Sequence, residues 1–165
     1  MVKLKALYDE DFVRWSEQQA AALRRAKSMP PAAAGVSNLP LDWENLAEEI
    51  ESLGKSDRRE LRSQITRVLR HLLKLEASPA TEPRASWRAT IREARSEIDG
   101  VLEDSRSLRR EAEALITKQI RASAALAADD LGQRPEPADA IWARLERECY
   151  TVGQVLGDWF SEEPS

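Results

Sequence analysis

The carboxylates and the imidazole of this sequence are the groups whose types and spacing could hold a metal ion. Four glutamates lie close together, Glu44, Glu48, Glu49 and Glu51, and His71 is the single histidine. Such groups can bind a divalent metal inside a helical bundle, but the Glu-x-x-His spacing typical of these sites is absent. At about 100° per residue, all of the glutamates except Glu49 project to the solvent side of a helix. We therefore name Glu49 and His71 as candidate metal ligands, and predict no catalytic residue and no cofactor.

A row of basic residues could instead contact phosphates. Its members share one face of a predicted helix and are Arg59, Arg62, Arg67, Arg70 and Lys74. Such a face can neutralise several phosphates of a nucleic acid. However, the net charge of −4 gives no global attraction, and neither a helix-turn-helix signature nor interleaved aromatic residues accompany the row. The acidic segment from Asp42 to Glu51 could pair with this row inside the fold or across a dimer, so nucleic acid is not the expected partner.

The single cysteine, Cys149, limits the remaining chemistry. One cysteine cannot form an intrachain disulfide, and with one histidine it excludes zinc sites built from cysteine and histidine. The neighbouring Glu146 and Glu148 disfavour a reactive thiolate, which predicts a structural role for Cys149. Since no apolar stretch approaches the ~20 residues of a membrane-spanning helix, we expect a cytoplasmic protein with no membrane partner.

The elements that position these residues are predicted to be helices. Apolar residues recur every three or four positions, and the composition is rich in alanine, leucine, glutamate and arginine. Helices are expected at about 10–27, from Asp42, at about 57–77, from Ser86, from Leu108 to Leu126, around Ile141 and from Thr151. The proline- and alanine-rich stretch at 28–40 indicates a linker. We predict one all-α domain over 1–165, an antiparallel helical bundle of four or more helices with a short C-terminal helical and aromatic segment.

Apolar spacing also predicts which helix faces are buried. After Tyr8, the seam of the first helix is predicted to consist of Phe12, Trp15, Gln19 and Leu23. The stripe predicted for the helix at 57–77 consists of Leu61, Ile65, Val68, Leu72 and Leu75, and the seam of the helix from Ser86 consists of Trp87, Ile91, Ala94, Ile98 and Val101.

Two further helices carry predicted buried faces. Leu46, Ile50 and Leu53 are expected to form the buried stripe of the helix that begins at Asp42. Gly54 either ends that helix as a C-cap or weakens one continuous helix. The seam predicted for the helix after residue 107 consists of Leu108, Ala112, Leu115, Gln119, Ala122 and Leu126, widened by Ile116 and Ile120.

Three aromatic residues near the C-terminus, Trp142, Trp159 and Phe160, are candidates for protein contacts. A clamp over the bundle is their favoured role, and docking onto a second chain is the alternative because aromatic residues commonly anchor interfaces. The full set of candidate interaction residues is Arg59, Arg62, Arg70, Lys74, Trp142, Trp159 and Phe160.

Several blocks of the sequence resemble a known family. The longest is the contiguous run from Asp42 to Gly54, which Arg58–Leu61 and His71–Lys74 follow. The shorter blocks are Tyr8, Asp11, Phe12, Trp15, Ser86–Arg88, Ile91–Arg92, Tyr150–Thr151 and Gln154–Leu156. Over about 8 to 160 the chain resembles the bacterial, largely cyanobacterial family catalogued as domain of unknown function 29, although 28–40 is longer and no proline follows Cys149. The resemblance implies an all-helical fold and, since the family has no established activity, carries over no catalytic residue.

The sequence therefore predicts a protein–protein interaction or assembly module. Its expected partner is a second copy of the chain, in a homodimer, or another protein. Two alternatives stay open: a metal-dependent enzyme that uses bundle carboxylates and His71, and a nucleic-acid-binding helix face at 58–74. Whether the protein is an enzyme is left open, because residues far apart in sequence can assemble a site that spacing does not reveal.

Overall fold

The computed structural model describes residues 2–28, 41–132 and 135–160. The helices are α1 (Val2–Glu10), α2 (Phe12–Lys27), α3 (Trp43–Ala77), α4 (Arg84–Asp104), α5 (Ala112–Leu131), α6 (Pro135–Arg147) and α7 (Val152–Leu156), with a 3-10 helix at Arg106–Arg110. No β-strand occurs in the described ranges, and the predicted all-α helical bundle is confirmed. None of the described helices is long and apolar enough to cross a membrane. Residues 29–40 of the predicted linker lie outside the described ranges.

The chain forms two compact units. Unit 1 comprises Met1–Arg59 and Leu102–Arg109, and unit 2 comprises Glu60–Val101 and Arg110–Ser165. Both α3 and α4 contribute one part to each unit. The prediction of one domain over 1–165 stays a prediction.

In unit 1, Asp11 separates α1 from α2 and caps α2. Its Oδ1 accepts a hydrogen bond from the backbone N–H of Arg14 at 3.1 Å, which agrees with the helix start predicted near residue 10. The carboxylate also accepts from the backbone N–H and the hydroxyl of Ser107, at 2.9 and 2.8 Å. These three donors satisfy a side chain that is almost fully buried. The sequence pattern does not predict α1, because its lysines interrupt the apolar spacing.

The α3 helix runs without a break through Gly54, so the continuous helix is the correct alternative. Gly54 is buried against α2, where an added Cβ would overlap the Oγ of Ser16 and lie 3.5 Å from the Cα of Val13. Ala20 on α2 and Ala47 on α3 are buried as well. Small residues therefore line the contact and let the two helices approach closely.

The prediction that Leu46, Ile50 and Leu53 form the buried stripe of this helix is wrong. Leu46 is 41 % exposed and Leu53 is 50 % exposed, and Ile50 is half-buried. The face that packs on α2 carries Ala47 and Gly54 instead, because leucines at the contact would hold α2 further away. A stripe with the spacing of a buried helix face therefore remains exposed on α3.

Unit 2 is built around the second part of α3. The predicted stripe is buried at Leu61, Ile65, Val68, Leu72 and Leu75, and the prediction omits Leu69 and Leu73, which are buried as well. On α4 the predicted seam is buried at Ile91, Ala94 and Ile98. On α5 the predicted seam is wrong at Ala122 and Leu126, which are exposed. The buried row of α5 is Ala112, Ile116, Ile120, Ser123, Ala124 and Ala127. Both α6 and α7 pack on α5.

Side chains also hold the helix ends of unit 2. The Nη1 of buried Arg84 donates to the carbonyl oxygens of Leu75 and Ser78, at 2.9 and 3.2 Å, near the C-terminus of α3. Thr151 and Gln154 form a reciprocal capping box at the start of α7. The T-x-x-Q pattern predicts this cap from sequence alone.

Candidate functional site

In unit 2, a carboxylate of α5 binds part of the basic row of α3. Arg70 donates from Nε to Oδ2 of Asp130 at 2.7 Å, and Lys74 donates from Nζ to the same oxygen at 2.9 Å. The hydrogen bond from Arg70 lowers the pKa of Asp130 and keeps it ionised. Arg59 and Arg62 are exposed. Among the candidate interaction residues on α3, Arg59 and Arg62 are therefore exposed cations that Asp130 does not bind.

The acidic segment of α3 forms ion pairs with α2 in unit 1. Arg24 lies 2.6 Å from a carboxylate oxygen of Glu51, and Lys27 lies 2.9 Å from one of Glu44. Hydrogen bonds from these cations lower the pKa of both glutamates. The sequence suggests that the acidic segment pairs with the basic row of α3. Glu44 and Glu51 pair instead with cations of α2. Glu49 is exposed.

Glu49 and His71, the candidate metal ligands, are not part of a larger group of potential metal ligands among the described residues. His71, in unit 2, lies with its Nδ1 2.9 Å from the carbonyl oxygen of Arg67, so the ring donates from Nδ1. Burial lowers the pKa of His71, which favours the neutral ring. Glu49 belongs to unit 1. Within residues 2–28, 41–132 and 135–160, no group of three or more histidine, cysteine, aspartate or glutamate side chains is arranged to hold a metal.

The C-terminal aromatic residues divide into two groups. The backbone carbonyl of Trp159 accepts from Arg95 at 2.7 Å, and the ring of Phe160 lies 4.9 Å from the same guanidinium. Burial lowers the pKa of this arginine, which also donates to carbonyls at the end of α7. Trp159 packs edge-on against Tyr150, with ring centroids 6.3 Å apart. Trp159 and Phe160 therefore close on α4, whereas Trp142 is 43 % exposed.

A pocket of about 200 Å³ in unit 2 is lined by apolar and charged residues. The charged residues of the lining are Glu76, Arg144 and Arg147. The Nε of Arg144 lies 2.8 Å from a carboxylate oxygen of Glu76, and its guanidinium stacks on the ring of Tyr150 at 4.7 Å. Burial, with the nearby Glu76 carboxylate, raises the pKa of Tyr150 and keeps the phenol neutral. Glu76 pairs with Arg144, so Arg147 leaves the lining with one unmatched positive charge, and no further charged or aromatic group of the lining adds to it.

Three aromatic rings cluster at the start of unit 1. Tyr8 meets Trp15 edge-to-face with centroids 4.9 Å apart, and meets Phe12 edge-to-face at 5.6 Å. Phe12 and Trp15 are stacked at 5.6 Å. Steps of four and three residues bring these rings to one side of the α1–α2 pair. Tyr8 is 50 % exposed, so the cluster presents an aromatic surface to solvent.

A pocket of about 460 Å³ opens beside this cluster. Its lining residues are Tyr8, Asp9, Phe12, Asp57 and Asp104. The Oδ2 of Asp57 accepts a hydrogen bond from the hydroxyl of Ser105 at 2.9 Å, which fixes that carboxylate. In the part of the chain that the structure describes, no lysine or arginine forms an ion pair with the three aspartates. The result is a negatively charged pocket with aromatic walls.

The exposed stripe of α3 leads toward this acidic aromatic pocket. Leu46, Ile50, Leu53 and Asp57 follow one another at steps of four, three and four residues along α3, which places them on one helix face. Sequence reasoning missed the pocket because its aspartates belong to three distant segments. The available signal was the spacing of Tyr8, Phe12 and Trp15, which sequence analysis assigns to a helix seam. We name the stripe and the pocket together the α3 docking surface.

The fold and this surface define an all-α protein with an exposed apolar and acidic face in unit 1. Residues 7–160 match the family described as "Domain of unknown function DUF29". The chain belongs to this family, and the family resemblance noted from the sequence is confirmed. The family's description assigns no function. No curated protein and no solved structure matches the chain.

Proposed function

We propose that this protein is a protein–protein interaction or assembly module that works through the exposed stripe of α3. The observation that carries the proposal is the exposure of Leu46 and Leu53 at the spacing of a buried helix face. Covering a half-exposed leucine gains on the order of 1 kcal/mol, so a partner gains several times this amount over a whole face. The partner is a second copy of this chain or another protein.

The bacterial cytoplasm is the proposed location of this module. Cys149 is an exposed free cysteine, and reducing compartments preserve such thiols. The bacterial setting is supported by the family resemblance of the blocks from Asp42 to Gly54 and around Tyr8.

Site-specific photo-crosslinking tests the proposed function. A photoreactive residue replaces Leu53 in the producing cells, and the control carries the same residue at Asp99, which is exposed on α4. We expect a covalent adduct of discrete mass at position 53, and mass spectrometry then identifies it as a second copy or another protein. Adding Leu46→Ser should reduce the yield, because the substitution removes apolar contact area. The absence of an adduct at position 53, or an equal yield at position 99, would contradict the proposal.

A further inference from the structure

We propose that the α3 docking surface binds a basic amphipathic helix of another protein, with its apolar face on the stripe and a lysine or arginine in the acidic aromatic pocket. This inference rests on the proposed function and names the class of partner. Two independent features carry it. The first is the stripe of Leu46, Ile50 and Leu53, whose two leucines are exposed. The second is the set of pocket carboxylates, which form no ion pair with a lysine or arginine among the described residues.

The length of the surface fits a helical partner. From Leu46 to Asp57 the face extends along α3 for three turns, or about 16 Å at the rise of an α-helix. A partner helix that places apolar residues at matching steps of four and three can cover the stripe along this length. A short extended peptide would meet the stripe with every second side chain and leave the others in water.

The chemistry of the pocket selects an organic cation. Aromatic faces and carboxylates both attract ammonium and guanidinium groups, and Tyr8 and Phe12 stand beside Asp9, Asp57 and Asp104. These carboxylates are not grouped closely enough to form a metal site among the described residues. A lysine or arginine side chain instead brings an apolar stem for the rings and a charged end for the carboxylates.

Charge also argues against a second copy as the occupant. A two-fold dimer uses the same patch on both chains, so the three aspartates of each pocket would face a surface that itself carries leucines and aspartates. Like charges placed against each other at an interface are unfavourable. A basic helix carries the opposite charge to the patch. Because of this complementarity, we infer that the partner is a different protein and not a second copy.

Three synthetic helical peptides of about 20 residues serve as probes, titrated into the full chain by calorimetry. The first has leucines at steps of four and three followed by lysines, the second has glutamate in place of lysine, and the third has serine in place of leucine. We expect the first to bind at least about tenfold more tightly than either of the others, and its binding to weaken as salt is raised.

Matched variants locate the binding site. Asp9→Asn with Asp104→Asn removes two pocket charges and should weaken the basic peptide about tenfold. Glu10→Gln with Glu48→Gln removes the same net charge from exposed positions outside the pocket lining, and should change affinity less than about twofold. Leu46→Ser with Leu53→Ser should abolish most of the binding but leave the fold unchanged, because both side chains are substantially exposed.

The outcomes separate this inference from the proposed function. Equal binding of the basic and glutamate peptides, or equal loss in the two charge variants, would overturn the basic partner and leave the interaction module standing. A dimer by light scattering that Leu46→Ser with Leu53→Ser dissociates would assign the surface to a second copy, which also overturns it. If no peptide binds, the inference fails, and the proposed function fails with it only when crosslinking at position 53 also yields no adduct.

Discussion

Replacing Gly54 with alanine should destabilise the protein, although alanine is the better helix former. In a helix interior the substitution alone gains about 1 kcal/mol. Here the new Cβ would overlap the Oγ of Ser16, which is buried and donates a hydrogen bond to the carbonyl of Val13 at 2.8 Å. Displacing that hydroxyl costs roughly 1–3 kcal/mol and overpacking a similar amount, so we expect a net loss of about 2 kcal/mol in the free energy of unfolding.

Two variants control for this prediction in urea unfolding. Gly100→Ala on α4 adds a Cβ with nothing within 4 Å and should stabilise by about 1 kcal/mol. Ser16→Ala combined with Gly54→Ala removes the overlapping hydroxyl and leaves a methyl contact at 3.5 Å, so most of the loss should be recovered. If Gly54→Ala is as stable as the wild type, or the double variant recovers nothing, then the close α2–α3 contact that leaves the leucines exposed is not as described.

Three further substitutions and one control, Asp129→Asn, test unit 2. Asp130→Asn removes the carboxylate that Arg70 binds and should cost about 1–2 kcal/mol in urea unfolding, while the exposed neighbour variant Asp129→Asn should cost far less; equal losses would contradict the pairing. Burial lowers the pKa of His71 below its usual 6.5, so the unfolded chain binds the proton more readily and stability should fall as pH drops below about 6.5. His71→Gln should flatten this pH dependence, and an unchanged slope would refute the assignment. Arg95→Met should speed amide hydrogen exchange in α7, because it removes donors to that helix's carbonyls, and unchanged exchange there would contradict the anchoring role.

The sequence predicts those features that depend on neighbouring residues. The residue types offer Asp9 or Asp11 as the N-cap of the first long helix, and Asp11 takes this position. The T-x-x-Q pattern predicts the capping box of Thr151 and Gln154. The stripe from Leu61 to Leu75 follows because one wide apolar face has no competing row. Local rules therefore account for the all-α class and most helix bounds.

Features that depend on the approach of distant segments are not predicted. An apolar period shows that a helix has an apolar face, but it does not show which face a neighbour covers. On α3 the face with the small residues Ala47 and Gly54 packs against α2, and Leu46 and Leu53 remain exposed. The pocket escapes sequence analysis for the same reason, since Asp9, Asp57 and Asp104 meet only in the folded unit.

The most direct test of the docking surface is a map of backbone amide shifts by nuclear magnetic resonance, recorded as the basic amphipathic peptide is added to isotope-labelled protein. We predict that the perturbed amides lie in α1, around Phe12, at residues 41–57 and around Asp104, and that α5, α6 and α7 of unit 2 are unaffected. Perturbations concentrated on the basic row at Arg62 and Arg70 or on the C-terminal aromatic residues, or none at saturating peptide, would contradict the assignment of this surface.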